Sequence, residues 1–348
     1  MAILMVVLEV LGIIVGLFVL YLLIVALVPG LSVSAQPLAK GKSTSAPDVQ
    51  PFRSRRDVSF KVQGASVSAW LFLPEDLSAP VPCIIMGNGF GGTKDMGLEP
   101  YAVRFQEAGF GVLVFDYRHF GDSDGEPRQL VWIPYQLQDY SAAIEYARGL
   151  EEVDPARIAL WGTSFSGGHV VVTAARDENI ACVVAQCPAL DGRATAVMGR
   201  KLVGIGRGLR LIMHGQRDLV RSWFGLSPHK LPIVGKPGSM ACMTAPDVYE
   251  GYARLAPAGF VNEVCARILI RGDKYRPVTK ARKVRCRVLI QICEHDNLTP
   301  IAAAEETAKR LGELAEVKRY PIGHFDIYVG DDFERSVSDQ LEFFRRHL

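Results

Sequence analysis

The sequence predicts an α/β fold: a mostly parallel sheet flanked by helices, preceded by an apolar helix and interrupted by a long insertion. Three observations carry that reading. Short continuous runs of Val, Ile and Leu alternate with segments of helical length from Val81 to Leu190, as buried parallel strands require. The alternation stops after Leu190 and resumes at Arg287. The chain has 348 residues, 49% of them hydrophobic, enough for one large domain carrying an insertion, or for two domains.

Taken in order, the first element is the uncharged run "VLGIIVGLFVLYLLIVALV", Val10 to Val28, long enough to cross a hydrocarbon core of roughly 30 Å as a helix. A cleaved signal peptide is the rival, because "VSA" at Val33 to Ala35 suits a small-residue cleavage site. The residues before Val10 contain no Lys or Arg, and the run exceeds the ~7–15 residues of an ordinary signal core. These features favour a retained anchor over 1–30. Glu9 stands alone before the span, whereas Lys40, Lys42, Arg53, Arg55 and Arg56 follow it. Positive flanks stay in the cytoplasm, so the expectation is a single-pass membrane protein whose globular part is cytoplasmic. Residues 31–52, rich in Ser, Pro, Ala and Lys without apolar periodicity, read as a linker.

The globular region, 53–348, opens with "DVSFKVQG" and "SVSAWLFLP", an expected antiparallel pair. "VPCIIMGNG" reads as a strand, Leu98–Ala108 as a helix, "GVLVFDYR" as a strand and Pro134–Leu150 as a helix. "RIALWG", a helix over Phe165–Arg176 and the strand "IACVVAQCPAL" follow. After the insertion, about 191–285, "RVLIQIC", a helix over Ile301–Gly312, "EVKRYPI" and a helix over Phe333–His347 complete the pattern. The charges nearly cancel, 39 Lys and Arg against 37 Asp and Glu, so nothing in the balance asks for nucleic acid or another polyanion. Seven cysteines lack C-x-x-C spacing, and Cys83, Cys182, Cys187 and Cys293 sit in apolar strand-like runs; they read as buried reduced thiols.

The stretch "WGTSFSGG", Trp161 to Gly168, places two serines among small residues where a strand gives way to a helix. A serine hydroxyl becomes a nucleophile only when a base takes its proton and nearby donors stabilise the oxyanion. A sharp strand-to-helix turn exposes the serine at its apex and offers free N–H groups at the helix start. Register favours Ser164, because the apolar run ends at Trp161 and an elbow on Ser166 would put Gly167 and Gly168 in the first helical turn. Ser166 is then the small residue behind the apex.

Partners follow in the chain order such a serine needs. "ICEHDNLTP" places Asp296 just past the next-to-last strand, and "YPIGHFDIY" places His324 just past the last. Carboxyl ends of neighbouring parallel strands share one edge of the sheet, so Ser164, Asp296 and His324 can converge. His324 would accept the Ser164 proton, and Asp296 would fix its tautomer. His295, beside Asp296, reads as a loop residue, and His119, His169 and His214 lack a matching strand-end position. No set of His and acidic residues has zinc-ligand spacing, so neither a metal nor another cofactor is expected. The backbone N–H groups of Phe165 and Phe90 are the expected oxyanion donors, the latter in the loop after "CIIMGNGFGG". A phosphate loop fails there because no Ser or Thr follows Lys94.

With these motifs in place the sequence resembles the α/β-hydrolase superfamily, in the branch of dienelactone hydrolases and prolyl-oligopeptidase-like esterases. "GNGFGGTKD" resembles its oxyanion loop, "FDYRHFGDSDG" the turn after its fourth strand, and "GTSFSGG" its elbow. Asn88 stands where the family usually has His, and Ser166 where it usually has Gly. The resemblance implies an α/β-hydrolase fold, with Asp116 and Arg118 as scaffold residues and His119 at the pocket rim. It also implies that the insertion is a cap over the site. Between Arg193 and Lys236 this segment carries nine Lys and Arg against one acid, Asp218, with apolar residues interleaved. Trp223 and Phe224 there, with His119, are the expected substrate contacts. The expected activity is hydrolysis of a small-molecule ester, thioester or related acyl bond, the substrate being lipophilic if the basic cap faces the membrane. An acyltransferase with the same three residues, and an inert membrane-tethered binding protein, are the alternatives.

Overall fold

A computed structural model describes residues 1–27, Val33, Leu38 and 55–348. Apart from Val33 and Leu38, the linker expected over 31–52 lies outside them. Helix α1 (Ala2–Leu27) begins well before the expected span and takes Glu9 into its length. Its Ile3–Leu27 stretch has a mean hydropathy of 3.1. At 1.5 Å per residue that stretch is about 37 Å long, which suits a membrane anchor or a signal sequence.

Strands β1 (Arg55–Val62) and β2 (Ala65–Phe72) form the antiparallel pair, turning at Gln63 and Gly64, both with positive φ. Then follow β3 (Val81–Gly87), α2 (Glu99–Glu107), β4 (Gly111–Phe115), α3 (Ile133–Arg148), β5 (Val153–Thr163), α4 (Phe165–Ala174) and β6 (Ile180–Gln186). Proline in the first turn marks the starts of α2 and α3, where a missing N–H costs nothing.

The residues between β6 and the next sheet strand are more ordered than their Gly and Pro content suggests. Helix α5 (Gly192–Trp223) is capped by the Asp191 carboxylate and bent at Gly204, whose φ of 74° lies outside the helical region. Strand β7 (Lys230–Leu231), helix α6 (Val248–Leu255), strand β8 (Val264–Cys265) and short 3₁₀ turns complete the segment. Strand β9 (Arg287–Cys293), α7 (Ile301–Leu311), β10 (Ala315–Tyr320) and α8 (Gly330–His347) close the chain.

Among the described residues the main sheet runs β1-β2-β4-β3-β5-β6-β9-β10, parallel from β4 to β10. Alternate residues of each buried strand point to opposite faces. Cys83 and Ile85 therefore join α3, α4 and α7 in one core cluster, while Ile84 and Met86 join α2 and α8 in the other. The seven cysteines are all free thiols. This arrangement brings the carboxyl ends of β3, β5, β9 and β10 to one edge, where the candidate site lies.

Candidate active site

Strand β5 ends at Thr163 and α4 begins at Phe165, leaving Ser164 alone in the turn with φ 53° and ψ −116°. A side chain in that conformation costs roughly 1–3 kcal/mol and persists only where neighbours over-determine it. Here the Ser164 N–H donates to the Gln186 carbonyl (2.9 Å), and its own carbonyl accepts from Gly167 (3.0 Å) and Ala189 (2.8 Å). Small neighbours are a geometric requirement. A Cβ on Gly162 would lie 2.3 Å from the Ser166 carbonyl oxygen, and one on Gly168 would lie 2.5 Å from that of Ala189.

The two serines have different surroundings. Ser166 is fully buried; its hydroxyl donates to the Asn88 carbonyl and sits 2.5 Å from the Tyr117 hydroxyl. Ser164 Oγ instead faces His324 Nε2 at 3.1 Å, and His324 Nδ1 lies 2.6 Å from Asp296 Oδ2. Three strand ends thus bring Ser164, His324 and Asp296 into one hydrogen-bonded line.

Asp296 is held by more than the histidine. Its Oδ1 accepts from the N–H groups of Leu298 (2.7 Å) and Thr299 (2.9 Å), and Oδ2 accepts from Thr299 Oγ1 (2.6 Å). Burial opposes its charge, but the imidazole and these donors outweigh burial and hold the carboxyl below its usual range. Burial likewise opposes a charged His324; the Asp296 carboxylate, together with Cys187 3.9 Å from Nε2, outweighs it, so the imidazole is held well above its ordinary value.

The loop after β3 closes over the serine. Asn88 Nδ2 donates to the carbonyls of Thr93 (2.7 Å) and Met96 (2.8 Å), and its Oδ1 accepts from the Gly89 N–H (2.7 Å). Asn88 thereby braces the loop. A Cβ on Gly89 would come within 3.1 Å of Ser164 Cβ, so the backbone approaches the serine as closely as packing permits. Phe90 and Phe165 meet edge to face at 5.6 Å, and the Tyr252 hydroxyl donates to the Phe90 carbonyl (2.6 Å). Phe165 lies in the first turn of α4, where an N–H has no intrahelical acceptor.

The cleft at Ser164 and His324 is lined by apolar side chains such as Met96, Met243, Leu255, Leu298 and Phe325, with Tyr252 and Tyr328. No Lys, Arg, Asp or Glu is among its lining residues. It encloses only about 30 Å³, room for a water or two. Met243, Tyr252 and Leu255 come from the segment between β6 and β9, and sequence reasoning did not pick them out; their spacing gave no periodic signal. The bracing Thr299, three residues after Asp296, was readable as a side-chain turn.

Three expected substrate contacts fall elsewhere. Trp223 and Phe224 end α5 and are mostly exposed, 58% and 59%, away from the cleft lining. His119 is buried in its own turn, bonded to the Pro127 carbonyl (3.0 Å) and stacked on Tyr135. It supports the loop and does not line the cleft. Asp116 and Arg118 are scaffold, as the resemblance implies: Lys94 Nζ meets Asp116 at 2.8 Å, and Arg118 Nε meets buried Asp139 at 2.5 Å. His169, between the Tyr275 hydroxyl (2.7 Å) and Gln136 (3.0 Å), is pushed down to about 3 by burial and stays neutral. His295 is exposed in its loop.

A serine on a strand-to-helix elbow, with a histidine and a carboxylate at later strand ends of a mostly parallel sheet, places the chain among hydrolases of the α/β type. The model of the X-Pro dipeptidyl-peptidase (S15) family matches residues 63–210. The quorum-quenching protein AidA of Acinetobacter baumannii is 41% identical over 292 residues, which cover 83% of this chain and 94% of AidA. The thiohydrolase apmlB of Arthrinium phaeospermum is 29% identical over 278 residues, 75% of this chain and 88% of that one. The crystal structure of the α/β hydrolase GrgF from Penicillium sp. sh18 superposes with a TM-score of 0.70 at 26% identity, covering 84% of this chain and 98% of GrgF. This chain belongs to the α/β-hydrolase superfamily and is a relative of AidA.

Proposed function

We propose that this protein is a serine hydrolase that cleaves an ester or thioester with an apolar acyl part, anchored in a membrane by α1. The observation that carries the reading is the line from Ser164 through His324 to Asp296, with the serine on a conformation only a braced elbow sustains. Ser164 Oγ attacks the acyl carbonyl as its proton passes to His324 Nε2. The N–H groups of Phe90 and Phe165 receive the oxyanion. His324 returns the proton to the leaving alcohol or thiol as the tetrahedral species collapses to an acyl-enzyme. A water molecule, activated by the same imidazole, then releases the acid.

The cleft supports the substrate class. Its lining is apolar and uncharged, which suits an acyl chain and not an anionic headpiece. Tyr252, Leu255 and Met243 narrow the cleft to room for a water or two beside Ser164. We assign residues 191–285 as the cap from which these side chains come. The name of one relative, thiohydrolase apmlB, points to thioester cleavage.

Membrane attachment is supported by the length and hydropathy of α1 and its exposed side chains, and the basic residues that follow favour a cytoplasmic domain. A second reading has a specific support, since GrgF also stands among the relatives as a polyketide transferase, 28% identical over 309 residues. In that reading an alcohol replaces water in the deacylation step, and product analysis with added alcohols separates the two.

The deciding experiment is labelling with a fluorophosphonate probe, comparing wild type with Ser164→Ala and Ser166→Ala. Labelling is expected to vanish in Ser164→Ala and to persist in Ser166→Ala. A folded wild type that stays unlabelled would overturn the hydrolase reading and leave an inert binding protein.

A further inference from the structure

Helix α5 buries polar side chains and leaves apolar ones exposed. Its polar side chains His214, Arg217 and Asp218 are buried against the rest of the domain. The Asp218 carboxylate accepts from Arg267 Nε (2.5 Å), Arg267 Nη2 (3.0 Å) and the His229 N–H (2.8 Å). A different line carries Ile205, Leu209, Ile212, Gln216, Leu219 and Trp223, spaced alternately by four and three residues, which is one stripe along a helix. Ile205 is 84% exposed, Leu209 58% and Ile212 41%.

The polar member of that stripe marks what it adjoins. Tyr21 of α1 donates its hydroxyl to Gln216 Oε1 at 2.6 Å. Next to it, Arg217 Nη1 and Arg221 Nη1 donate to the carbonyls of Val25 (2.9 Å) and Ala26 (2.8 Å). Those carbonyls belong to the last turn of α1, where no intrahelical donor reaches them and the helix dipole favours cations. The last turns of α1 therefore dock on α5 at the polar member of the stripe.

We propose that the Ile205–Trp223 stripe rests in the surface of the lipid bilayer that α1 enters, so that α5 lies along the interface and the domain is held flat against the membrane. The proposal rests on reading α1 as a membrane anchor. Continuity with α1 favours lipid as the occupant. Charge does so too: Arg210 beside the stripe, and Arg193, Arg200 and Lys201 before the Gly204 bend, are exposed, complement anionic headgroups and would repel a second copy of themselves. Trp223, at the end of the stripe, has the amphipathic ring that settles at headgroup level.

The test uses the full chain reconstituted in vesicles of phosphatidylcholine and phosphatidylglycerol, with or without bromine on the acyl chains. Bromolipid is expected to quench most of the emission that disappears on Trp223→Phe, and Ile205→Asp with Leu209→Asp should abolish that quenching. Both variants should remain in the membrane after alkaline carbonate and keep wild-type turnover of a short soluble ester. A carbonate-resistant chain whose Trp223 is unquenched overturns the interface placement and leaves the anchor standing. Release of the chain by carbonate overturns both. Unquenched Trp223 with disulfide cross-linking between copies of a Leu209→Cys variant overturns it in favour of self-association.

Discussion

Replacing Asp296 by Asn tests the chemistry without changing the shape of the site. The two N–H donors of Leu298 and Thr299 both point at Oδ1, so they fix which side of the substituted amide carries oxygen. The amide nitrogen is then forced to the Oδ2 position, 2.6 Å from His324 Nδ1. An NH₂ group there donates, so Nδ1 must accept and the imidazole proton moves to Nε2. That nitrogen can no longer take the proton of Ser164 Oγ, 3.1 Å away. Loss of charge adds to the wrong tautomer: with charge centres about 4 Å apart and an effective dielectric constant of about 20, the carboxylate stabilises the imidazolium by ~4 kcal/mol, about a thousandfold in rate. The expected loss in kcat on a p-nitrophenyl ester is about 10³- to 10⁴-fold, with the melting temperature nearly unchanged. The pH profile gives an independent readout. Wild-type activity requires neutral His324, whose value is raised, so its acid limb lies above the ordinary histidine range; without the carboxylate, burial is opposed only by Cys187 beside the ring, and the limb moves to lower pH. A variant within tenfold of wild type, or an unmoved limb, would refute the assignment of His324 as base and Asp296 as its partner.

Two further perturbations address the scaffold. Gly162→Ala puts a methyl group 2.3 Å from the Ser166 carbonyl oxygen, a backbone atom that cannot swing away. The variant should lose about 1–3 kcal/mol of stability in urea denaturation and most of its probe labelling; normal labelling would show that the elbow is looser than its geometry. The stacked pair His214 and His229, with Nδ1 and Nε2 2.7 Å apart, shares a single proton between neutral rings. Burial first, then His214 and Arg217, push His229 down to about 4 against the opposing pull of Asp218. An unfolded histidine titrates near 6.5, so the pair's contribution is intact above that pH and is lost as the pH falls toward 4, up to about 3 kcal/mol. His229→Gln should flatten the dependence of urea stability on pH across that window, and an unchanged slope would remove the pair from the account.

What the sequence made legible divides along physical lines. Continuous Val, Ile and Leu runs are strong signals of buried parallel strands, and β3, β5, β6 and β9 lie within a few residues of where those runs predict them. Strand ends then locate Ser164, Asp296 and His324 on one edge, because a parallel sheet leaves them little choice. The substrate side was not legible: Met243, Tyr252 and Leu255 reach the cleft from a segment whose path is set by tertiary contacts such as Tyr252 to the Phe90 carbonyl. The misplacement of Trp223 and Phe224 has a more general cause. An amphipathic pattern reports that two faces of a helix differ in polarity, and reading the apolar face as inward assumes that water is on the other side. In α5 that assumption fails, since Asp218 and His214 are paired in the interior while Ile205 and Leu209 face outward. Burying those polar groups is tolerable only because each has its partner. A line of exposed aliphatic surface marks a contact with a partner or with a membrane. The exposed line that ends at Trp223 is therefore what the proposed contact of α5 with a lipid surface would account for, and a substrate pocket does not.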